Sequence, residues 1–241
     1  MEVPILSVTK VTMFFGGLAA IWDLSFDVQA GEVLGLMGPN GAGKSTLLNI
    51  ISGVYKPAAG AIEFKNHDIT GLAPHKICHL GIARTYQIPQ PFVNLTALQN
   101  IVVAAEYGRG IGKAAAEKEA LKILDMVDLL EKKDVVTRDL ASITLKRLEL
   151  ARALATNPTL LLLDEVAAGL TEEEIPRLLE ILQRVRELGI TYILIEHVMR
   201  VMTKAVERII VMDKGMKIAE GSPNEIMEDS KVIEAYLGES A

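Results

Sequence analysis

The chain has a single cysteine, Cys78, so it cannot close an intrachain disulfide, and a free thiol of this kind is read first as a small buried hydrophobe. Aromatic residues are scarce at 5% although apolar residues make up 50% of the sequence. Abundant Ile, Leu, Val and Ala without aromatics favour an α/β protein with buried parallel strands over a β-sandwich. A basic excess is also missing: the formal net charge is -6, which argues against generic nucleic-acid binding, because phosphate neutralisation needs positive charge. No apolar run approaches the ~18 to 20 residues that span a bilayer, and the N-terminus lacks a basic region followed by an apolar stretch. A soluble, cytosolic chain is expected. Internal repeats, low-complexity tracts and long linkers are absent as well, so 241 residues predict one globular unit with a smaller appended lobe.

What the sequence does contain is a recurrent alternation of short apolar runs with helix-like segments. Residues 33–37 form a compact apolar run leading into GPNGAGKST, after which Leu47, Leu48, Ile50 and Ile51 recur at helical spacing. Strands are predicted over 61–64, 82–86, 159–163 and 191–195, a charged helix over 172–187, and a strand entering a hairpin at 208–215. Between about Leu95 and Ala155 the strand signal gives way to Ala, Leu, Lys and Glu, broken by YGRGIGK at 107–113. The expected organisation is an α/β core of residues 1–94 and 156–241, with an inserted helical lobe over 95–155.

The sharpest chemical signal is Gly38-Pro39-Asn40-Gly41-Ala42-Gly43-Lys44-Ser45, which fits G-x-x-x-x-G-K-[ST]. Chance would produce that fit in roughly one chain in a hundred of this length. Its place between a strand and a helix makes a mere glycine turn a poor explanation. Glycines let the backbone wrap closely enough for several N–H groups to face phosphate oxygens, and the helix N-terminus adds its dipole. Lys44 supplies a mobile positive charge for the β- and γ-phosphates, and Ser45 a hydroxyl for Mg²⁺; Thr46 follows in the first helical turn. A nucleoside triphosphate with Mg²⁺ is the expected ligand.

A second signal is LLLLDE at 160–165, an apolar strand that delivers two acids where it emerges. Taken alone, such a pair reads as a solvated helix start. Beside a phosphate loop, Asp164 becomes a candidate for the Mg²⁺ shell and Glu165 for orienting or deprotonating an attacking water. His197 follows the run YILIE, and Gln87 ends RTYQ. A histidine at a strand end is commonly structural. In parallel sheets, however, ligands collect at the carboxyl ends of strands, which makes His197 a candidate γ-phosphate contact and Gln87 a candidate for the metal or the water.

The order of glycine loop, Gln87, helical segment, RLELARAL, LLLLDE and His197 resembles the ATP-binding subunits of ABC transporters along essentially the whole chain. FFGGLAAIWDLSFDV, DEVAAGLT, IEHVM and the tail VIEAYLGE are most similar to the ATPase subunits of branched-chain amino-acid importers. The resemblance implies a P-loop NTPase fold, with a RecA-like core, an antiparallel β-part and an α-helical lobe. It also implies ATP hydrolysis by two subunits paired head to tail beneath two membrane permeases, at the inner face of the cell membrane, with an extracellular or periplasmic substrate-binding protein upstream. Phe15 would stack on adenine, and the segment around Gln87 would face the permease. ATPases of lipopolysaccharide exporters and urea importers share much of this motif order, and a nucleotide-gated module with little turnover stays open as another reading. The transported substrate is set by other subunits.

One segment departs from the family. Its signature L-S-x-G-Q, which grips the partner subunit's nucleotide, falls on Leu140, Ala141, Ser142, Ile143 and Thr144, and only the leucine is retained. Ala141 has no hydroxyl, and Ile143 places a β-branched side chain where close backbone approach is needed. Val166 also stands where proline usually follows the catalytic glutamate. Since a composite site draws its two halves from different chains, the expectation is weak hydrolysis alone. A heterodimer with an ATPase of intact signature is favoured over a homodimer.

Overall fold

The computed structural model describes residues 3–237, so Gly238 and Glu239 of the VIEAYLGE tail lie outside the described residues. The chain divides into two compact units, one made of residues up to Ile77 together with those from Thr191 onward, the other of Cys78–Ile190.

The first unit opens with a long hairpin, β1 (Leu6–Phe15) and β2 (Leu18–Val28), turned at Gly16-Gly17. Its registers shift near Val8–Val11, where Lys10 and Asp23 take positive φ. The ladder is interrupted there, and side-chain hydroxyls accept the displaced amides: Lys10 N–H donates to Ser25 and Asp23 N–H to Thr12. Next come β3 (Val33–Met37), α1 (Lys44–Ile51), β4 (Ala59–Phe64) and the two-residue β5 (His67–Asp68). Strands β2-β1-β4-β5 form an antiparallel sheet in that order. Every residue of β3 is buried, as its unbroken apolar run predicts for a strand covered on both faces.

The chain passes into the second unit within α2 (Pro74–Leu80). There β6 (Ile82–Arg84) is followed by α3 (Ala97–Arg109), α4 (Lys113–Met126), α5 (Ser142–Ala155), β7 (Leu160–Asp164) and α6 (Ile175–Glu187). A Thr96–Gln99 capping box starts α3, and Gly110 in the left-handed region ends it, so the YGRGIGK break separates two helices. Strands β6 and β7 pair in parallel.

Two predicted elements are shorter than expected. The strand over 82–86 stops at Arg84: Thr85 N–H still donates to the Leu162 carbonyl of β7, but Tyr86 N–H donates to the Glu149 carboxylate rather than to a ladder. The helix over 172–187 begins at Ile175, since Glu174 accepts from both the amide and the hydroxyl of Thr171 and holds residues 171–174 as a turn ahead of it. From Ile175 the buried side chains Leu178, Ile181, Leu182 and Val185 follow one helical face.

The chain re-enters the first unit with β8 (Thr191–Ile195), α7 (Met199–Ala205), the hairpin β9 (Arg208–Asp213) and β10 (Met216–Gly221), then α8 (Pro223–Glu228) and α9 (Ser230–Leu237). Strand β3 lies between β8 and β9, parallel to both. Among the described residues no helix is long and apolar enough to cross a membrane.

Candidate functional site

In the first unit, β3 delivers the chain into the glycine loop at Gly38. That residue has φ of 144°, and a Cβ there would lie 2.0 Å from the Met212 carbonyl oxygen. Gly43 sits at φ of 99° with the Ala20 carbonyl oxygen 2.5 Å from where its Cβ would be. Both positions therefore exclude any side chain, and the loop they shape is the backbone cradle expected of a phosphate site. No side chain caps α1, so its N-terminus faces the loop with its dipole uncompensated. Lys44 is buried, and its ammonium donates to the carbonyls of Gly38 at 2.6 Å and Pro39 at 2.8 Å. These are neutral acceptors within reach of a mobile chain, so a polyanion in the loop competes for the same charge. Pro39 is buried beside Gly38, while Asn40, Gly41 and Ser45 are exposed, Thr46 is half-buried, and Ala42 donates its amide to Pro39 and accepts from Gly215.

Two further residues of this unit are placed by its strands. Leu36 pairs with Ile195, so the chain leaves β3 towards Gly38 and β8 towards His197 from the same end of the sheet. His197 is exposed there, and its amide donates to the carboxylate of buried Glu196. Phe15 ends β1 at 43% exposure, meeting Tyr55 edge-on with ring centroids 5.3 Å apart.

The second unit gathers the acids and Gln87. Asp164 ends β7 almost fully buried, with Arg84 3.7 Å away and its own amide donating to Thr85 Oγ1. Glu165 takes φ of 51°, an uncommon conformation for a side-chain-bearing residue, which turns the chain out of the strand immediately. Gln87 Nε2 donates to Glu165 Oε2 at 2.7 Å, so these two candidates are in direct contact. Lys146 of α5 holds the turn from below, its ammonium donating to the carbonyls of Glu165 at 3.1 Å and Ala168 at 2.6 Å.

Residues that the motifs did not single out complete this unit's polar network. Glu149 on α5 is buried and accepts from Tyr86 N–H at 2.9 Å; burial outweighs that bond and the neighbouring Arg152, Arg84 and Lys146 charges, pushing its carboxyl up to about 7. Arg84 stacks its guanidinium over Tyr86, 4.2 Å from the ring centroid. The available signal was an acid on the otherwise apolar face of RLELARAL, a placement that needs a partner.

Helix α5 begins at Ser142, making Ala141 the residue before its first turn; it makes no side-chain cap. Ala141 and Ser142 are exposed. Leu140 and Ile143 are half-buried and Thr144 buried, its hydroxyl accepting from Lys132. Ile143 lines a small cavity of about 20 Å³ with Leu150, Val166, Leu170, Leu178 and Ile181 and the charged Lys146, Arg147 and Glu174. The two departures Ile143 and Val166 thus border one cavity.

In the first unit the Ser45 hydroxyl, and in the second the Asp164 carboxylate and the Gln87 amide oxygen, are each hard oxygen donors of the kind Mg²⁺ takes. Among the described residues no group of three or more His, Cys, Asp or Glu forms a ready-made metal cage.

Comparison with known proteins gives one answer throughout. A sequence profile described as "ABC transporter" matches residues 21–168, and one described as "Branched-chain amino acid ATP-binding cassette transporter" matches residues 216–241. The high-affinity branched-chain amino acid transport ATP-binding protein BraF of Pseudomonas aeruginosa is 37% identical, with 100% of both chains covered. Its counterpart LivG of Escherichia coli is 36% identical with the same coverage. Among solved structures, the ADP conformation of an ATP-binding cassette of an ABC transporter superposes with a TM-score of 0.88 at 32% identity, covering 98% of this chain and 100% of that one. A nucleotide-free ATP-binding cassette from an ABC transporter gives 0.86 at 32% identity, covering 97% and 99%. Since the first profile spans more than half of the chain and the curated relatives match it from end to end, the protein belongs to the ATP-binding, ATP-hydrolysing subunits of ABC transporters.

Proposed function

We propose that this ATPase powers import of branched-chain amino acids, docked on the inner face of a membrane against two permease subunits that receive cargo from an extracellular or periplasmic binding protein. The observation that carries the reading is the match of residues 216–241 to a profile particular to branched-chain amino acid cassettes, beside full-length relatives of that name. In this reading Gly38 to Thr46 enclose the phosphates, with Lys44 leaving the Gly38 and Pro39 carbonyls for the β- and γ-oxygens. Phe15 stacks on adenine. Ser45, Asp164 and Gln87 are the residues that would hold Mg²⁺, which when bound would supply positive charge against the transferring phosphoryl group. Glu165 accepts the proton of the attacking water, Gln87 fixes its carboxylate at 2.7 Å, and His197 donates to the γ-phosphate.

The second subunit is proposed to be a different ATPase. Ala141 offers the partner's nucleotide no hydroxyl, and Ile143 carries a β-branched side chain where close backbone approach is needed. A homodimer would therefore carry two poorly gripped nucleotides, whereas a heterodimer with an intact signature keeps one good site. Affinity purification from membranes of the source cell, followed by identification of co-purifying subunits and ATPase assay of chain and complex, tests both statements. Recovery of a permease pair with a second ATPase, and turnover far higher in the complex, is the expected result. Recovery without permeases contradicts the transporter assignment, and full turnover by the isolated chain contradicts the heterodimer.

A further inference from the structure

The phosphate loop is held at its first residue from an unexpected direction. Beyond Met37, the last residue of β3 paired with β9, the Gly38 amide has left the sheet ladder. It donates instead to the hydroxyl oxygen of Tyr236 on α9, at 2.9 Å. Gly38 is thus tied at both polar groups, its N–H to Tyr236 and its carbonyl to the Lys44 ammonium at 2.6 Å. The two ties differ in what happens when nucleotide enters. Lys44 must transfer its charge to phosphate and release the carbonyl, while Tyr236 acts on the amide and has no reason to leave. Helix α9 also borders the loop more broadly: a cleft of about 550 Å³ is lined by Asn40 and Gly41 of the loop, Asp213 and Lys214 of the β9–β10 turn, and Lys231 and Glu234 of α9.

We propose that the Tyr236 hydroxyl is a positioning residue for nucleotide binding, fixing the Gly38 peptide plane so that the loop keeps its phosphate-ready shape when Lys44 lets go. The C-terminal helix then tunes nucleotide affinity, and the inference rests on Gly38 to Ser45 being the phosphate site. A phenylalanine at 236 keeps the ring and removes only the acceptor, leaving the Gly38 amide without its partner.

Tyr236→Phe in the full chain is tested by titration with a fluorescent ATP analogue and by steady-state ATPase assay of the transporter complex. The expected result is a Kd and a KM raised about three- to tenfold with kcat within twofold, as loss of one buried hydrogen bond implies. Amide exchange at Gly38 should accelerate in the same variant. Val232→Ala is the control: it loosens the buried apolar contact of α9 and keeps the hydroxyl, so its KM should stay at the wild-type value. Unchanged Kd and KM in Tyr236→Phe, or an equal rise in Val232→Ala, would overturn the proposal. Lys44→Ala separates the two levels of the reading, because retained ATP affinity there refutes the phosphate site itself, whereas lost affinity there with an unaffected Tyr236→Phe refutes only the role of Tyr236.

Discussion

Replacing Glu149 with glutamine should change how stability depends on pH, and the sign follows from its surroundings. The side chain is 6% exposed on α5, and burial holds its carboxyl near 7 against an ordinary 4.5. Below the ordinary value the folded and unfolded chains both carry the proton, so the group contributes nothing to pH dependence. As pH rises through 4.5 the unfolded chain releases its proton while the folded chain retains it, and stability falls until the folded group also ionises near 7. At 1.36 kcal/mol per unit the full loss is about 3 kcal/mol, trimmed by solvent relaxation to roughly 2. Glutamine keeps the shape and can still accept from Tyr86 N–H, but it does not titrate. Urea unfolding of both chains from about pH 5 to about pH 8 isolates the effect, because every other group titrates alike in the two. Glu149→Gln should gain on wild type by about 2 kcal/mol across that range, so that the difference grows towards alkaline pH. Parallel profiles, or a difference that shrinks as pH rises, would refute the burial argument.

Three other substitutions probe the two units separately. Glu165→Gln should lower phosphate release by the transporter complex about 100-fold or more while the fluorescent nucleotide still binds; turnover within a few-fold of wild type would remove Glu165 from the role of base. Gly43→Ala forces a Cβ to within 2.5 Å of the Ala20 carbonyl at φ of 99°, so urea titration should show a loss of about 1 to 3 kcal/mol together with lost nucleotide binding. Ala141→Ser adds a hydroxyl acceptor ahead of the first turn of α5, and thermal unfolding should show a gain of about 1 kcal/mol. The same variant should raise turnover of a reconstituted complex if the position faces a partner's nucleotide.

How much of this was legible beforehand divides along a physical line. Runs such as VLGLM and TYILI identified β3 and β8 because a strand buried on both faces is almost wholly apolar, the buried Thr191 hydroxyl of β8 accepting from Gly31 N–H. The glycine loop was legible for a related reason: Gly38 and Gly43 have no room for a Cβ, so the chemistry of the backbone is written directly into residue type. Where a contact joins residues far apart in the chain, local pattern carried no such information. Glu149 meets Tyr86 from 63 positions away, and Tyr236 meets Gly38 from 198. Neither pairing leaves a periodicity, yet each determined something that the pattern misread or left out, the early end of β6 in one case and the anchoring of the phosphate loop in the other.

The signature segment sits between these extremes. Its departure from L-S-x-G-Q was visible as a missing hydroxyl at 141 and an added side chain at 143, but sequence alone presents that as loss. The structure sets Ile143 on the wall of the same small cavity as Val166, which stands where the family usually has proline. Restoring glycine at 143 would therefore open a cavity against Val166, Leu150 and Leu170 rather than simply recover a phosphate grip. A hydroxyl at exposed position 141 carries no such penalty. The route by which this chain could regain a working signature accordingly starts at Ala141, because glycine at 143 would also widen the cavity that Val166 borders.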